Sequence, residues 1–419
     1  MRRLSMMNVL SFYRAAVIAL FFCAPVVHAA QLNDASSREP ETPSQYTLTP
    51  EKRAQAKTYA QQRHLIYFAG EALMFAALGA LARFGLPRRI GRRGIVPATL
   101  LVLLAVQLPL DAYSESLSRF YGQSIQDWPS WFVDEGKIWA ITLVVGTALL
   151  WGIYALVRRS PRRWWLYAWL CSIPLQLAAV FLSPLVLEPM FFRFQPLEKD
   201  HPALVIRIEQ ILHRARVQIP AARLLEMKAS EKTNSLNAYV SGFGSSKRLV
   251  LWDTIIAKED PAALLTTVGH ELGHYVLHHI RDGLIFSAAL TLAGFLCLEL
   301  LMRLRRGGEP WGDWQTVPWF LLAAFALIFV STPLVNGFSR HLEHEADRYA
   351  LEVTHGIVPD AGAAAARAFQ VEGESALADP DPGPLIRFWL YDHPPLAERL
   401  KFSLAYNPWK EGLAPRYVR

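Results

Sequence analysis

The sequence predicts a predominantly α-helical integral membrane protein with about six or seven transmembrane helices, joined to an α+β region that carries a small β-hairpin. Three observations support this. Of the 419 residues, 52% are hydrophobic, a high share for a soluble chain. Apolar runs close to bilayer length recur along it. Arginines cluster beside alternate runs, as Arg88, Arg89, Arg92 and Arg93, then Arg158, Arg159, Arg162 and Arg163, then Arg303, Arg305 and Arg306. Short loops carrying such clusters stay on the cytoplasmic side. The net charge of +7 is therefore read as topology, and nucleic acid is not an expected partner.

In chain order, Arg2, Arg3 and Arg14 precede an apolar core at about Ala15 to Val27, and Val27-His28-Ala29 follows. Residues 1–30 thus read as a secretory signal-like segment, with cleavage favoured because the core is short for a span. Cleaved or kept, it leaves Gln31 to Arg63 outside the cytoplasm. This polar stretch, with Pro40 and Pro43, is expected to be an exposed lead-in that turns helical from Pro50. An N-terminal membrane region, 31–190, should hold spans at about 65–86, 95–112, 138–157 and 165–187; the region 191–419 should add two more, at about 284–302 and 317–336. Asp111 to Lys137 reads as a polar loop bearing Tyr113, Phe120, Tyr121, Trp128 and Trp131, either anchors at the interface or a cover over a site on that face. Glu71 and Glu299 lie near span ends, where snorkelling explains them; with Asn336 they are weak grounds for an ion path. Cys23, Cys171 and Cys297 fall in the signal and in spans, so neither a disulfide framework nor a thiolate metal site is expected.

Beyond the fourth span, Leu204, Ile208, Ile211 and Leu212 recur at helical spacing, and Leu224 to Met227 is a strand candidate. Asn237 to Trp252 reads as a hairpin around Gly242, Gly244, Ser245 and Ser246, whose outer strand offers an edge to extended peptide backbone. Asp360 to Gln370 is an alanine-rich helix, and Asp379 to Pro384 a Pro-rich loop.

The chemistry concentrates at His270-Glu271-Leu272-Gly273-His274, an HExxH pentapeptide. Chance supplies such a motif about once in a hundred chains of this length, so its surroundings must decide. Pro261 and the apolar spacing after it place the motif within a helix. There both imidazoles reach one zinc ion, and Glu271 faces the ion's open position as general base. Catalytic zinc takes a third protein ligand. The chain lacks the Gly and His that a metzincin places after the motif, having Leu277 and Ile280 instead. Downstream, Glu343 and Asp347 share a helical face, which suits Glu343 as third ligand and Asp347 as the carboxylate that holds a ligand imidazole. His344 and Glu345 remain alternatives to Glu343; His278, His279 and His341 read as packed or interfacial side chains.

With these residues in view, the chain resembles the type I CAAX prenyl endopeptidases, integral-membrane gluzincin metalloproteases. Four blocks carry the likeness: Asn237-Ala238-Tyr239 with Lys247 to Thr254, the HELGH site, Ser339 to Asp347, and His393-Pro394-Pro395-Leu396-Ala397-Glu398-Arg399. The resemblance implies a zincin-like region with one zinc on His270, His274 and Glu343, Glu271 as base, and Asp347 behind the ligands. It also implies His393 and Asn237 near the scissile carbonyl. In the expected mechanism His393, with Arg399 a candidate behind it, stabilises the tetrahedral oxyanion.

The expected function is hydrolysis of peptide bonds in membrane-associated proteins or peptides; a scaffold with a structural zinc site is the alternative. By the arginine rule the site faces away from the cytoplasm; the expected setting is a bacterial inner membrane, with the site towards the periplasm. That orientation departs from the eukaryotic members, whose site opens to the cytosol. Loss of the signal-like segment would also leave six helices where the family has seven.

Overall fold

The helices that the apolar runs demand account for most of the computed structural model, which describes residues 42–86, 90–242, 244–304 and 311–418. The signal-like segment and Arg88, Arg89, Arg305 and Arg306 lie outside the described residues. Among those described, six helical stretches are long and apolar enough to cross a bilayer. They are α1 (Pro50–Phe84), α2 (Gly91–Phe120), α3 (Trp128–Arg159), α4 (Trp164–Phe191), α8 (His279–Leu304) and α9 (Val317–Thr354), the last being part of the stretch Trp314–Thr354. A π turn interrupts α3 at Thr142–Gly146 and another interrupts α4 at Ser183–Leu187. Leu65, Val144, Leu185, Ile285 and Val330 point outward and are exposed, as side chains facing lipid should be. Leu100, Leu150, Tyr154, Trp164 and Phe320 form the core between these helices.

Three expectations need correction. Asp111 to Lys137 is mostly helix, because its polar residues satisfy one another at helical spacing. Gln107 donates to Asp111 at 3.2 Å and Arg119 to Glu115 at 2.9 Å. Only 121–127 forms a connection, and there Asp127 caps α3 by accepting from the Ser130 amide at 2.6 Å. The lead-in is not simply exposed either: Tyr46, Ala56 and Tyr59 are buried, and Tyr46 donates to the Ala378 carbonyl at 3.0 Å. Glu299 does not snorkel; it is buried and accepts from Trp164 Nε1 and Arg303 Nε, each at 2.6 Å, which removes the need for water.

Between α4 and α8 the chain builds a small mixed sheet. Its strands β1 (Phe194–Pro196), β2 (Leu224–Met227), β3 (Ala238–Ser241) and β4 (Arg248–Trp252) lie in the order β1-β2-β4-β3. β2 and β4 are parallel, with Leu224 opposite Leu249, while β3 and β4 form the expected hairpin, with Ala238 opposite Leu251. Inner β4 reads Arg-Leu-Val-Leu-Trp and is buried from Leu249 onward, as a strand covered on both faces should be. Helix α5 (Pro202–Arg214) shares one core with the sheet, and α6 (Asp253–Lys258) and α7 (Pro261–Val276) follow in the chain. After α9 come α10 (Ala361–Ser375), α11 (Pro384–Leu390) and α12 (Leu396–Ala405). Ile208, Leu249, Leu265, Val268, Ala364 and Leu400 join these elements into a second core.

Candidate active site

Asp260 and Pro261 start α7. The Asp260 carboxylate accepts from the amides of Ala262 and Ala263 at 2.9 and 3.1 Å, while Pro261 occupies the first helical position. Arg367 of α10 holds the other carboxylate oxygen at 2.8 Å. The motif is thereby set two turns and more into a capped helix, with His270 buried and His274 half-buried.

What brings α9 close enough is a pair of glycines on the opposing face of α7. A Cβ on Gly273 would lie 3.2 Å from Ala346 Cα and from Tyr349 Cβ, and one on Gly269 would lie 3.0 Å from Val353 Cγ1. A side chain at either position would press on α9, and most directly on its backbone at Ala346 beside Gly273. That close approach delivers Glu343 to the imidazoles. His270 Nε2 and His274 Nε2 are 3.1 Å apart, His270 Nε2 is 3.3 Å from Glu343 Oε2, and His274 Nε2 is 3.5 Å from Glu343 Oε1. Ligand atoms about 2.0–2.1 Å from a tetrahedral zinc stand roughly 3.3 Å from one another. These separations, which meet Glu343 through its two different oxygens, are close to that spacing, and Glu343 Oε2 is a buried oxygen with no hydrogen-bond partner among the described residues. Two imidazole nitrogens and a carboxylate therefore fit a zinc ion.

The groups behind the triangle set its electrostatics. His270 Nδ1 lies 2.9 Å from Asp347 Oδ1, the arrangement by which a carboxylate fixes a ligand imidazole. Arg399 donates to both Asp347 oxygens, at 2.6 and 2.8 Å. It turns its guanidinium to Asp347, behind His270. Burial opposes charge on His270, yet the Asp347 and Glu343 carboxylates beside it prevail and raise its pKa to about 10. The surrounding charges thus favour a cation at this point.

Glu271 and Asn237 line the same cavity, of about 140 Å³, as do His393 and, from α1, Tyr59, Arg63 and His64. His393 stands outside the triangle, with Nε2 2.8 Å from Glu343 Oε1 and Nδ1 3.0 Å from Asp392 Oδ1. Asn237 immediately precedes edge strand β3; its buried Nδ2 has no partner among the described residues. Seven of the eight residues singled out in the sequence line this cavity, and His274 adjoins it through His270 and Glu343. The sequence assigns no role to Gly269 and Gly273, and His279 reads there as a packed or interfacial side chain. The two glycines, four apart and each just before a ligand histidine on α7, were the available signal for close helix packing; His279 gave none, because its partner is visible only in three dimensions.

Comparison with known proteins follows the same lines. Residues 198–404 match the family model described as peptidase family M48. Residues 53–193, which hold the first four candidate spans, match that described as CAAX prenyl protease N-terminal, five membrane helices. The chain is 33% identical over 376 residues to a Bacillus subtilis protein named uncharacterized metalloprotease YhfN, covering 85% of this chain and 86% of that one. It is 26% identical over 398 residues to the Arabidopsis thaliana CAAX prenyl protease 1 homolog, covering 84% and 88%. The crystal structure of S. mikatae Ste24p superposes with a TM-score of 0.70 at 20% identity, over 96% of this chain and 95% of that one, which shows a shared fold.

Proposed function

The chain belongs to peptidase family M48 and is a membrane-embedded metalloendopeptidase acting on proteins or peptides; on that premise we propose that its metal is a single zinc held by His270, His274 and Glu343, with Glu271 as general base. The observation that carries the ligand set is that His270 Nε2 and His274 Nε2 stand 3.1 Å apart and 3.3 and 3.5 Å from the two oxygens of the buried Glu343 carboxylate, one of which has no hydrogen-bond partner among the described residues. In this reading residues 31–190 form a membrane region and 191–419 the peptidase region with two further spans.

A bound zinc acidifies water and polarises a carbonyl. Glu271, one residue after the first ligand and on the cavity wall, takes the proton from the attacking water and passes it to the leaving amine. His393, beside Glu343 and held by Asp392, donates to the carbonyl oxygen as it gains charge. Asn237, with an open donor at the end of the edge strand, steadies an extended substrate backbone. Asp347 and Arg399 hold the His270 ring in place.

The basic loops support an outward-facing site. Arg158 lies 3.3 Å from the Gly312 carbonyl and stacks 4.3 Å above the Trp314 ring. The connections after α3 and α8 therefore meet at one end of the bundle, and the metal cradle lies at the opposite end of α9. With that basic end cytoplasmic, the cradle opens to the periplasmic face of a bacterial inner membrane. The name of the plant relative points to prenylated substrates; an outward site favours membrane-associated or misfolded envelope proteins instead. Reporter enzymes fused at residues 306 and 419 test the orientation: activity of the 419 fusion in the cytoplasm overturns it. Chelation of the purified protein should abolish peptide cleavage and zinc add-back restore it. Full cleavage after zinc removal overturns the cofactor.

A further inference from the structure

The two imidazoles of the metal cradle are braced differently. His270 rests on a carboxylate. His274 rests on a second imidazole: its Nδ1 lies 3.0 Å from Nδ1 of His279, the rings meeting at 77°. A neutral imidazole that offers Nε2 to a metal carries its proton on Nδ1. His274 is then the donor in this pair, His279 Nδ1 must accept, and the proton of His279 sits on Nε2. That Nε2 is buried, has no hydrogen-bond partner among the described residues, and faces Glu345 Oε2 at 3.8 Å. The separation is too long for a direct hydrogen bond and suits charge attraction or one bridging water. Glu345 lies two residues beyond Glu343 on α9 and is itself fixed by the Tyr417 hydroxyl at 2.7 Å and Arg416 at 3.4 Å.

The backbone is bent to make this pair. Helix α7 ends at Val276 and α8 begins at His279, with His278 between them at φ 62°. A left-handed non-glycine residue is uncommon, and holding one requires the surrounding structure to compensate. The reversal returns His279, five positions along, to the side of His274 that faces away from the cradle.

We infer that His279 is a positioning residue for the metal ligand His274, accepting its Nδ1 proton and so fixing the ring's tautomer and rotation, with Glu345 completing the relay. This rests on the zinc reading above. It explains why a histidine stands buried at the head of a membrane helix with an open nitrogen turned to a carboxylate. It also joins the two ligand-bearing helices by a second route, independent of Asp347.

Zinc affinity of the detergent-purified full chain, measured by competition with a chromophoric chelator, tests the relay in the parent, His279→Phe and His279→Asn. The Phe ring fills the space without an acceptor, and affinity should fall about 10–100-fold. The Asn carboxamide oxygen can take the place of Nδ1 and should bring affinity back towards the parent. The cobalt-substituted absorption spectrum should shift in the Phe variant and return in the Asn variant. Melting of the chelated proteins separates a folding defect from a metal defect, and restoration by Asn decides where the Phe variant melts early. Equal affinity in all three overturns the relay. So does a parent that holds two zinc ions and a Phe variant that holds one, since His279 would then be a ligand itself. A parent that binds no zinc fails earlier and overturns the metal reading, with the relay depending on it.

Discussion

Replacing Asp347 with Asn changes one charge and almost no volume, which makes its cost readable. The carboxylate takes 2.6 and 2.8 Å bonds from Arg399 and lies 2.9 Å from His270 Nδ1. The Asp347 and Arg399 side chains are only 4% and 7% exposed. Removing one partner of a buried pair leaves the other uncompensated and costs roughly 3–5 kcal/mol. For a peptidase region of this size that is an apparent melting shift on the order of 10 °C. The ring of His270 also loses its orienting acceptor, which should weaken zinc by about 10–100-fold, or roughly 1.4–2.7 kcal/mol. The assay is melting of the chelated protein together with chelator competition, on Asp347→Asn, Arg399→Met and the double variant. Because the double variant leaves no orphaned charge, it should melt above Asp347→Asn, with a coupling of about 1–3 kcal/mol. A single variant that melts within a degree or two of the parent, beside a double variant that sums the two singles, refutes the reasoning.

Gly273→Val should push α9 from α7, since its Cβ alone would stand 3.2 Å from Ala346 Cα; zinc content after gel filtration should drop, and Gly273→Ala should be milder. Zinc bound at a hundredfold over its dissociation constant should stabilise the parent by about 2.7 kcal/mol, a rise in melting temperature that His274→Ala should lack. Burial, with Lys52 nearby, lowers the pKa of Lys258 to about 7. The unfolded chain then binds more protons than the folded one between about pH 7 and 10.5, so stability rises with pH across that window. A Lys258→Met variant should melt above the parent near pH 7 and lose the part of the rise that this group supplies. Equal slopes in both would show that Lys258 is not the source.

Much of this was legible in the sequence because two periodicities state it openly. Apolar runs of bilayer length set the six helices, and the spacing His270, His274 and Glu343, Asp347 set two helical faces that the fold brings together. Spans were read short where polar residues continue the helix outside the hydrocarbon. Asp111, Glu115 and Ser118 look like loop until their bonds to Gln107, Arg119 and the Ser114 carbonyl, each four positions away, are seen. Glu299 was misread because its partner Trp164 lies 135 positions away. Arg399 shows the same limit, since its tie to Asp347 spans 52 positions. Contacts of that range follow from the packing of helices, which no local pattern records.

Zinc content and peptide cleavage of the purified parent beside Glu271→Gln test the central claim most directly. Both should hold about one zinc per chain, and cleavage should fall by about 10²–10⁴ in the variant. A variant that cleaves like the parent, or a zinc-loaded parent that cleaves no faster than the variant, contradicts the account.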